Sequence, residues 1–151
     1  MKHSAEAATD RAGPGHLDYY LRHGLNPVRY NTDNLAWHLH RRAALYRALG
    51  IHPLAVRHAR VLEVAAGSGQ NSLYVARLRP REYTLVEPNP AGVRDVRALY
   101  DRPENAPFRP RLFEGKFQDF HPDGPFDLVL CENWLGHSPH ELHAWRSDGL
   151  I

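Results

Sequence analysis

Residues 60–72 read Arg-Val-Leu-Glu-Val-Ala-Ala-Gly-Ser-Gly-Gln-Asn-Ser, and few folds accommodate that order of residue types. Val61, Leu62 and Val64 lack helical spacing and read as a short buried strand. The run passes directly into Ala65-Ala66-Gly67-Ser68-Gly69, after which Leu73, Tyr74, Val75 and Leu78 recur at helical spacing until Pro80 stops them. Strand, tight glycine turn and helix make the first half of a parallel βαβ unit. Such a turn lets a ligand lie against bare backbone at a helix N-terminus. Alone, Gly-x-Gly also fits an ordinary strand-to-helix turn. Two acids add to it. Glu63 interrupts the strand near its carboxyl end, where a buried carboxylate is costly unless donors meet it. Glu87 closes the next apolar run, eighteen residues beyond Gly69.

The pattern then repeats along the chain. Tyr83–Val86 forms the second strand, and Asn89 caps a helix that has Pro90 at its first position and carries Val93, Val96 and Leu99 or Tyr100. Glu87 therefore lies at a strand's carboxyl edge beside the glycine turn, where a carboxylate can accept from both hydroxyls of a ribose. Arg109–Phe113 is a third strand, placed at an edge by Pro110. Phe126–Cys131 is a fourth, and Ser138-Pro139-His140-Glu141 is a capping box that opens a further helix. Upstream, residues 1–15 are polar and read as a disordered tail. Residues 16–53 read as a helical cap: a short helix within 17–30, then a stronger one capped by Asp33, with Leu35, Leu39, Ala43, Tyr46 and Leu49 on one face and Gly50 at its end. His38 and His40 point in different directions on that helix and read as solvent-exposed. Residues 54–151 form the ligand-binding domain.

The order apolar-apolar-Glu-apolar-small-small-Gly-Ser-Gly resembles motif I of the class I S-adenosylmethionine-dependent methyltransferases. The resemblance implies a Rossmann-like, mostly parallel sheet of about four strands in the order 3-2-1-4, with flanking helices and an N-terminal helical segment. It implies S-adenosyl-L-methionine as cofactor, held by Glu63, Ala65, Gly67, Ser68, Gly69, Glu87 and Asn89. Ala65 replaces the usual glycine, which is tolerable only if its φ is negative. Asp119, with Gln118 beside it, matches the acid that meets the adenine amino group; without the resemblance it is equally a turn residue. Glu132 and Asn133 follow the fourth strand, where cofactor and acceptor meet, and the resemblance counts them among the cofactor-binding residues. His137 is the best-placed general base for a hydroxyl acceptor, though it also reads as a plain histidine before a helix cap. The segment from Tyr19 to Pro53 resembles the N-terminal part of bacterial methyltransferases associated with surface glycans. A small molecule such as a sugar hydroxyl or glycan precursor is the acceptor this implies. Cys131-Glu132-Asn133-Trp134 lacks the Asp/Asn-Pro-Pro-aromatic pattern of adenine N-methylation. In this family three more strands follow the fourth, so the chain reads as C-terminally truncated, with an exposed fourth strand inviting self-association.

Nineteen basic residues against seventeen acidic leave a net charge of +2, and the basic residues, nearly all arginine, are scattered. Without a basic stripe interleaved with aromatics, a nucleic-acid partner has no support. No apolar stretch approaches a membrane span or a signal-peptide core, and the single cysteine, Cys131, fits a reducing cytoplasm. His137, His140 and His143 do not make a zinc site, because steps of three drift around a helix, and no metal is expected. Two rivals stay open. Gly67-x-Gly69-x-x-Ser72 with an acid downstream nearly satisfies the fingerprint of an NAD(P)-dependent oxidoreductase. A non-catalytic cofactor-binding fragment lacking an acceptor site is the other.

Overall fold

A computed structural model describes residues 16–25, 28–30 and 33–132. The expected tail over residues 1–15, the capping box at Ser138, and Asn133 and His137 lie outside the described residues. Helices α1 (His16–Arg22), α2 (Leu35–Ala48) and α3 (Pro53–His58) precede strand β1 (Arg60–Val64). Helix α4 (Ser72–Arg77), strand β2 (Glu82–Glu87), helix α5 (Pro90–Asp101), strand β3 (Arg111–Glu114) and strand β4 (Leu128–Leu130) follow. The sheet has the order β3-β2-β1-β4 and every pairing is parallel, as expected.

Alternation along β1 decides which residues face which layer. Val61 points to one side with Leu85 of the paired strand. There they meet Tyr46 of α2, Val56 of α3, Leu73 and Val75 of α4, and Val96 and Leu99 of α5. Leu62 and Val64 point to the other side with Val86, against Phe113, Phe117, Phe120, Phe126 and Cys131. Strands covered on both faces need apolar residues at nearly every position, which is why β1 and β2 read as continuous runs. Helix α5 forms as its sequence predicts: Asn89 Oδ1 accepts from Ala91 N at 2.9 Å, Pro90 opens the helix, and Val93, Val96, Leu99 and Tyr100 are all buried.

Several local expectations need correction. Asn34, not Asp33, caps α2, its side chain accepting from Trp37 N at 3.0 Å. Leu49 does not join the inner face of α2; it is exposed past the helix end. Helix α3 has no counterpart in the sequence reading, although its signal is present: His52 Nδ1 accepts from Leu54 N at 3.2 Å, with Pro53 in the first turn. Strand β3 begins after Pro110, and β4 is confined to the residues paired with Val61, Leu62 and Glu63. Among the described residues β4 has one strand partner, and its central Val129 is 47% exposed.

Candidate functional site

The carboxyl ends of β1 and β2 converge on the glycine turn. Ala65 N donates to Val86 O at 2.9 Å, so the turn begins while still laddered to β2. The chain then reverses through left-handed residues: Ala65 at φ +58°, Gly67 at +60° and Gly69 at +75°. The expectation of a negative φ at Ala65 fails, because the turn demands the glycine conformation there regardless of side chain. That strain costs about 1–2 kcal/mol. Gly69 is constrained on its other side as well, since a Cβ there would lie 2.9 Å from Val96 Cγ2. This glycine lets α5 approach the turn.

Glu87 fastens the turn from below. Its Oε2 accepts from Gly67 N at 2.6 Å and its Oε1 from Asn89 N at 2.8 Å. The carboxylate is 4% exposed, and burial raises its pKa against the opposing pull of the two backbone donors. Each oxygen keeps acceptor capacity for a further donor. Asn89 is committed twice: its side chain caps α5 and its N–H meets Glu87. Gly92, which the sequence reading passed over, completes the packing. A Cβ at that position would stand 2.8 Å from Gly67 O and 2.9 Å from Glu87 Cγ.

Glu63 is equally buried, and donors do meet it: Ser72 Oγ at 2.9 Å and the Tyr83 hydroxyl. Burial is the largest influence on this carboxyl and pushes its pKa up to about 7. Glu63 thus braces β1 against α4 and β2, directly beneath the turn. At the end of β4, Glu132 Oε1 accepts from Arg42 and from the Tyr46 hydroxyl at 3.0 Å, tying α2 to the sheet edge. His38 is a correction: it is buried, and its Nε2 donates to Gln70 O at 3.0 Å. His40 is exposed and stacks on Trp37. Nothing in the local pattern separates the two histidines, because the partner of His38 lies 32 residues away.

Ser68 is buried in the turn, and Gln118 and Asp119 are exposed on the short 3₁₀ turn Phe117–Asp119 that follows β3. The structure therefore brings Glu63, Ala65, Gly67, Ser68, Gly69, Glu87 and Asn89 together around one turn. Glu132 joins them at the end of the neighbouring strand. Among the described residues no group of three or more His, Cys, Asp or Glu is placed to hold a metal ion, and no helix is long and apolar enough to cross a membrane.

The profile of a methyltransferase domain matches residues 61–147, more than half of the chain. No curated protein matches in sequence. Among solved structures, magnesium protoporphyrin IX methyltransferase from Synechocystis, with bound SAM, superposes with a TM-score of 0.56 at 14% identity, over 93% of this chain and 56% of that one. Arabidopsis thaliana protein arginine methyltransferase 10 gives a TM-score of 0.51 at 24% identity, over 61% of this chain and 26% of that one. The Trypanosoma brucei PRMT1 enzyme–prozyme complex with AdoHcy gives 0.50 at 20% identity, over 64% and 30%. The chain thus spans about half, or less, of the length of these proteins, and at such identities the likeness is one of fold. With the matched profile spanning nearly all of β1, the glycine turn, both acids and β4, the chain belongs to the methyltransferase domain family.

Proposed function

We propose that the chain binds S-adenosyl-L-methionine at the carboxyl edge of β1, β2 and β4 and serves methyl transfer to a small-molecule acceptor. The observation that carries this reading is the Glu87 carboxylate, held against the Gly67 N–H at the end of β2 with acceptor capacity to spare. In the proposal Glu87 accepts from the ribose hydroxyls, and Asp119 with Gln118 meets the adenine. The turn from Ala65 to Gly69, Asn89 and the braced Glu63 surround the remainder of the cofactor. Glu132 and Asn133, following the fourth strand in sequence, are proposed to complete the cofactor-binding set. When bound, the cofactor supplies a sulfonium methyl that is already electrophilic. The protein's task is then mainly alignment, and proximity of this kind is worth about 7–11 kcal/mol. His137 is proposed to take the proton of a hydroxyl acceptor. A sugar hydroxyl or glycan precursor as that acceptor rests on the resemblance of the N-terminal segment. Self-association through the edge of β4 is proposed from its exposed Val129.

Calorimetry on the purified chain tests the cofactor assignment. S-adenosylhomocysteine is expected to bind at least tenfold tighter than NAD(H), a difference of about 1.4 kcal/mol. Equal or reversed preference would replace the assignment with an oxidoreductase. Cofactor binding without turnover on glycan precursors would leave the cofactor site and remove the sugar or glycan acceptor.

A further inference from the structure

The arginines are scattered over the chain as a whole, but one stretch of it is uncompensated. From Asn34 to Leu62 the sequence holds Arg41, Arg42, Arg47, Arg57 and Arg60 and no aspartate or glutamate. Arg42 turns inward to Glu132, and Arg60 is engaged by Glu82 and Asp123. Arg41, Arg47 and Arg57 are exposed, and among the described residues none of the three meets a carboxylate. Arg47 and Arg57 stand in the last turns of α2 and α3, where a cation suits the carbonyl ends of a helix. Arg41, in the middle of α2, has no such duty. Helical spacing sets Trp37, Arg41, Ala44, Leu45 and Ala48 on one exposed arc of α2, opposite Leu39 and Tyr46, which pack on the core. Trp37 is 59% exposed, with its ring stacked on the exposed His40. Leu45, Leu49 past the end of α2 and Leu54 in the first turn of α3 are exposed as well. A single exposed leucine needs no explanation, but tryptophan and leucines set among unpaired arginines mark a surface that meets something.

We propose that the outer face of α2, with the start of α3, rests on an anionic membrane surface. The chain lies on the bilayer and does not cross it, in keeping with the absence of a long apolar helix among the described residues. Charge complementarity carries the inference: Arg41, Arg47 and Arg57 lack counter-ions, and anionic headgroups supply them. A bilayer surface also offers phosphate and acyl chain within one side chain's length of each other. That matches arginines beside tryptophan and leucine, whose tips enter the apolar layer while the guanidinium groups stay with the headgroups. A nucleic acid offers phosphates but no apolar layer for Leu45, Leu49 and Leu54. The inference stands independently of the cofactor assignment.

Co-sedimentation of the full chain with vesicles tests it, comparing phosphatidylcholine alone with an equimolar mixture of phosphatidylcholine and phosphatidylglycerol. The chain is expected to partition onto the mixed vesicles and to leave them as salt is added. Arg41→Gln and Arg47→Gln should each weaken partitioning about fivefold, the loss of one surface arginine. Trp37→Ala should weaken it about tenfold or more, through lost apolar contact. Arg94→Gln, which removes an exposed arginine from α5, should leave it within about twofold. All four variants should keep the parent's thermal midpoint, since the side chains replaced are exposed. Failure of the parent to sediment with the mixed vesicles at low salt would overturn the proposal. Equal loss in Arg94→Gln would do the same, because overall charge and not this face would then be responsible. Preferential binding to poly-glutamate or duplex DNA, weakened by the arginine variants but not by Trp37→Ala, would replace the membrane with a soluble polyanion.

Discussion

Glu63 places an ionisable group in an apolar layer, and its surroundings make the protein's stability depend on pH. Its oxygens meet Ser72 and Tyr83, both neutral donors, so burial outweighs them and the folded-state pKa rises to about 7 from an ordinary 4.5. The unfolded chain therefore loses this proton first as pH rises. The contribution of Glu63 is complete below the unfolded value, declines across the interval up to about 7, and is gone above it. The size of the effect is about 3 kcal/mol at most, from ~1.4 kcal/mol per pH unit. Urea unfolding at several pH values should show stability falling from pH 5 to pH 7.5, with Glu63→Gln flattening that slope. Parallel curves for the two proteins would mean that the carboxylate ionises in the fold at its ordinary pKa. At this scale the sequence was a partial guide. A lone acid inside an apolar run signals that donors must exist, but Tyr83 lies 20 residues away and only the pairing of β1 with β2 brings it near. The left-handed φ of Ala65 was equally illegible, because alanine favours the opposite sign.

Among elements, the close approach of α5 to the glycine turn depends on a residue with no side chain. Gly92 sits inside a helix, where glycine costs about 1 kcal/mol relative to alanine, and an isolated glycine in a helical pattern is itself a sign of close packing. Gly92→Ala would gain that propensity yet drive a methyl group into Gly67 O and the Glu87 stem. Neither neighbour is the free end of a flexible chain, so α5 must move. Overpacking of this kind costs about 1–3 kcal/mol. The expected outcome is a lower thermal midpoint, by about 2–4 °C per kcal/mol for a domain of this size. A midpoint equal to or above that of the parent would show that the turn yields to α5 without loss. Strand β2 and the Asn89-Pro90 start of α5 were legible because strong local signals agree there: an apolar run, a cap and a proline at the first position. Strands β3 and β4 came out shorter than read, since their limits are set by the neighbours they pair with and not by their own residues.

For the molecule as a whole, the helical cap and the sheet share a single apolar interior. Tyr46 of α2 is 1% exposed, its ring packs edge-on against Tyr74 at 5.0 Å, and its hydroxyl reaches Glu132 at the far end of β4. The division at residue 53 is therefore one of sequence pattern, and the two parts should fold together. Deleting residues 1–50 would uncover the α4 face of the core and strip Glu132 of Arg42 and the Tyr46 hydroxyl. Losing Tyr46 alone removes a side chain of the kind whose truncation costs about 3–5 kcal/mol, a large part of a domain's total stability. The shortened chain should show no cooperative thermal transition by circular dichroism. A sharp melt would establish that residues 51–151 are self-sufficient. These long-range ties were not legible, because arginine, tyrosine and glutamate spaced up to 90 residues apart carry no local periodicity.

The double anchorage of Glu87 has a consequence for how this site can change over generations. The carboxylate that spans the Gly67 and Asn89 N–H groups shapes the loop and the helix start by itself, before any ligand arrives. A substitution there forfeits the architecture together with whatever the oxygens would recognise. Ligand preference is thus hard to alter by drift at position 87. Diversification is directed instead to exposed positions away from the glycine turn and the start of α5, such as Asp119 after β3.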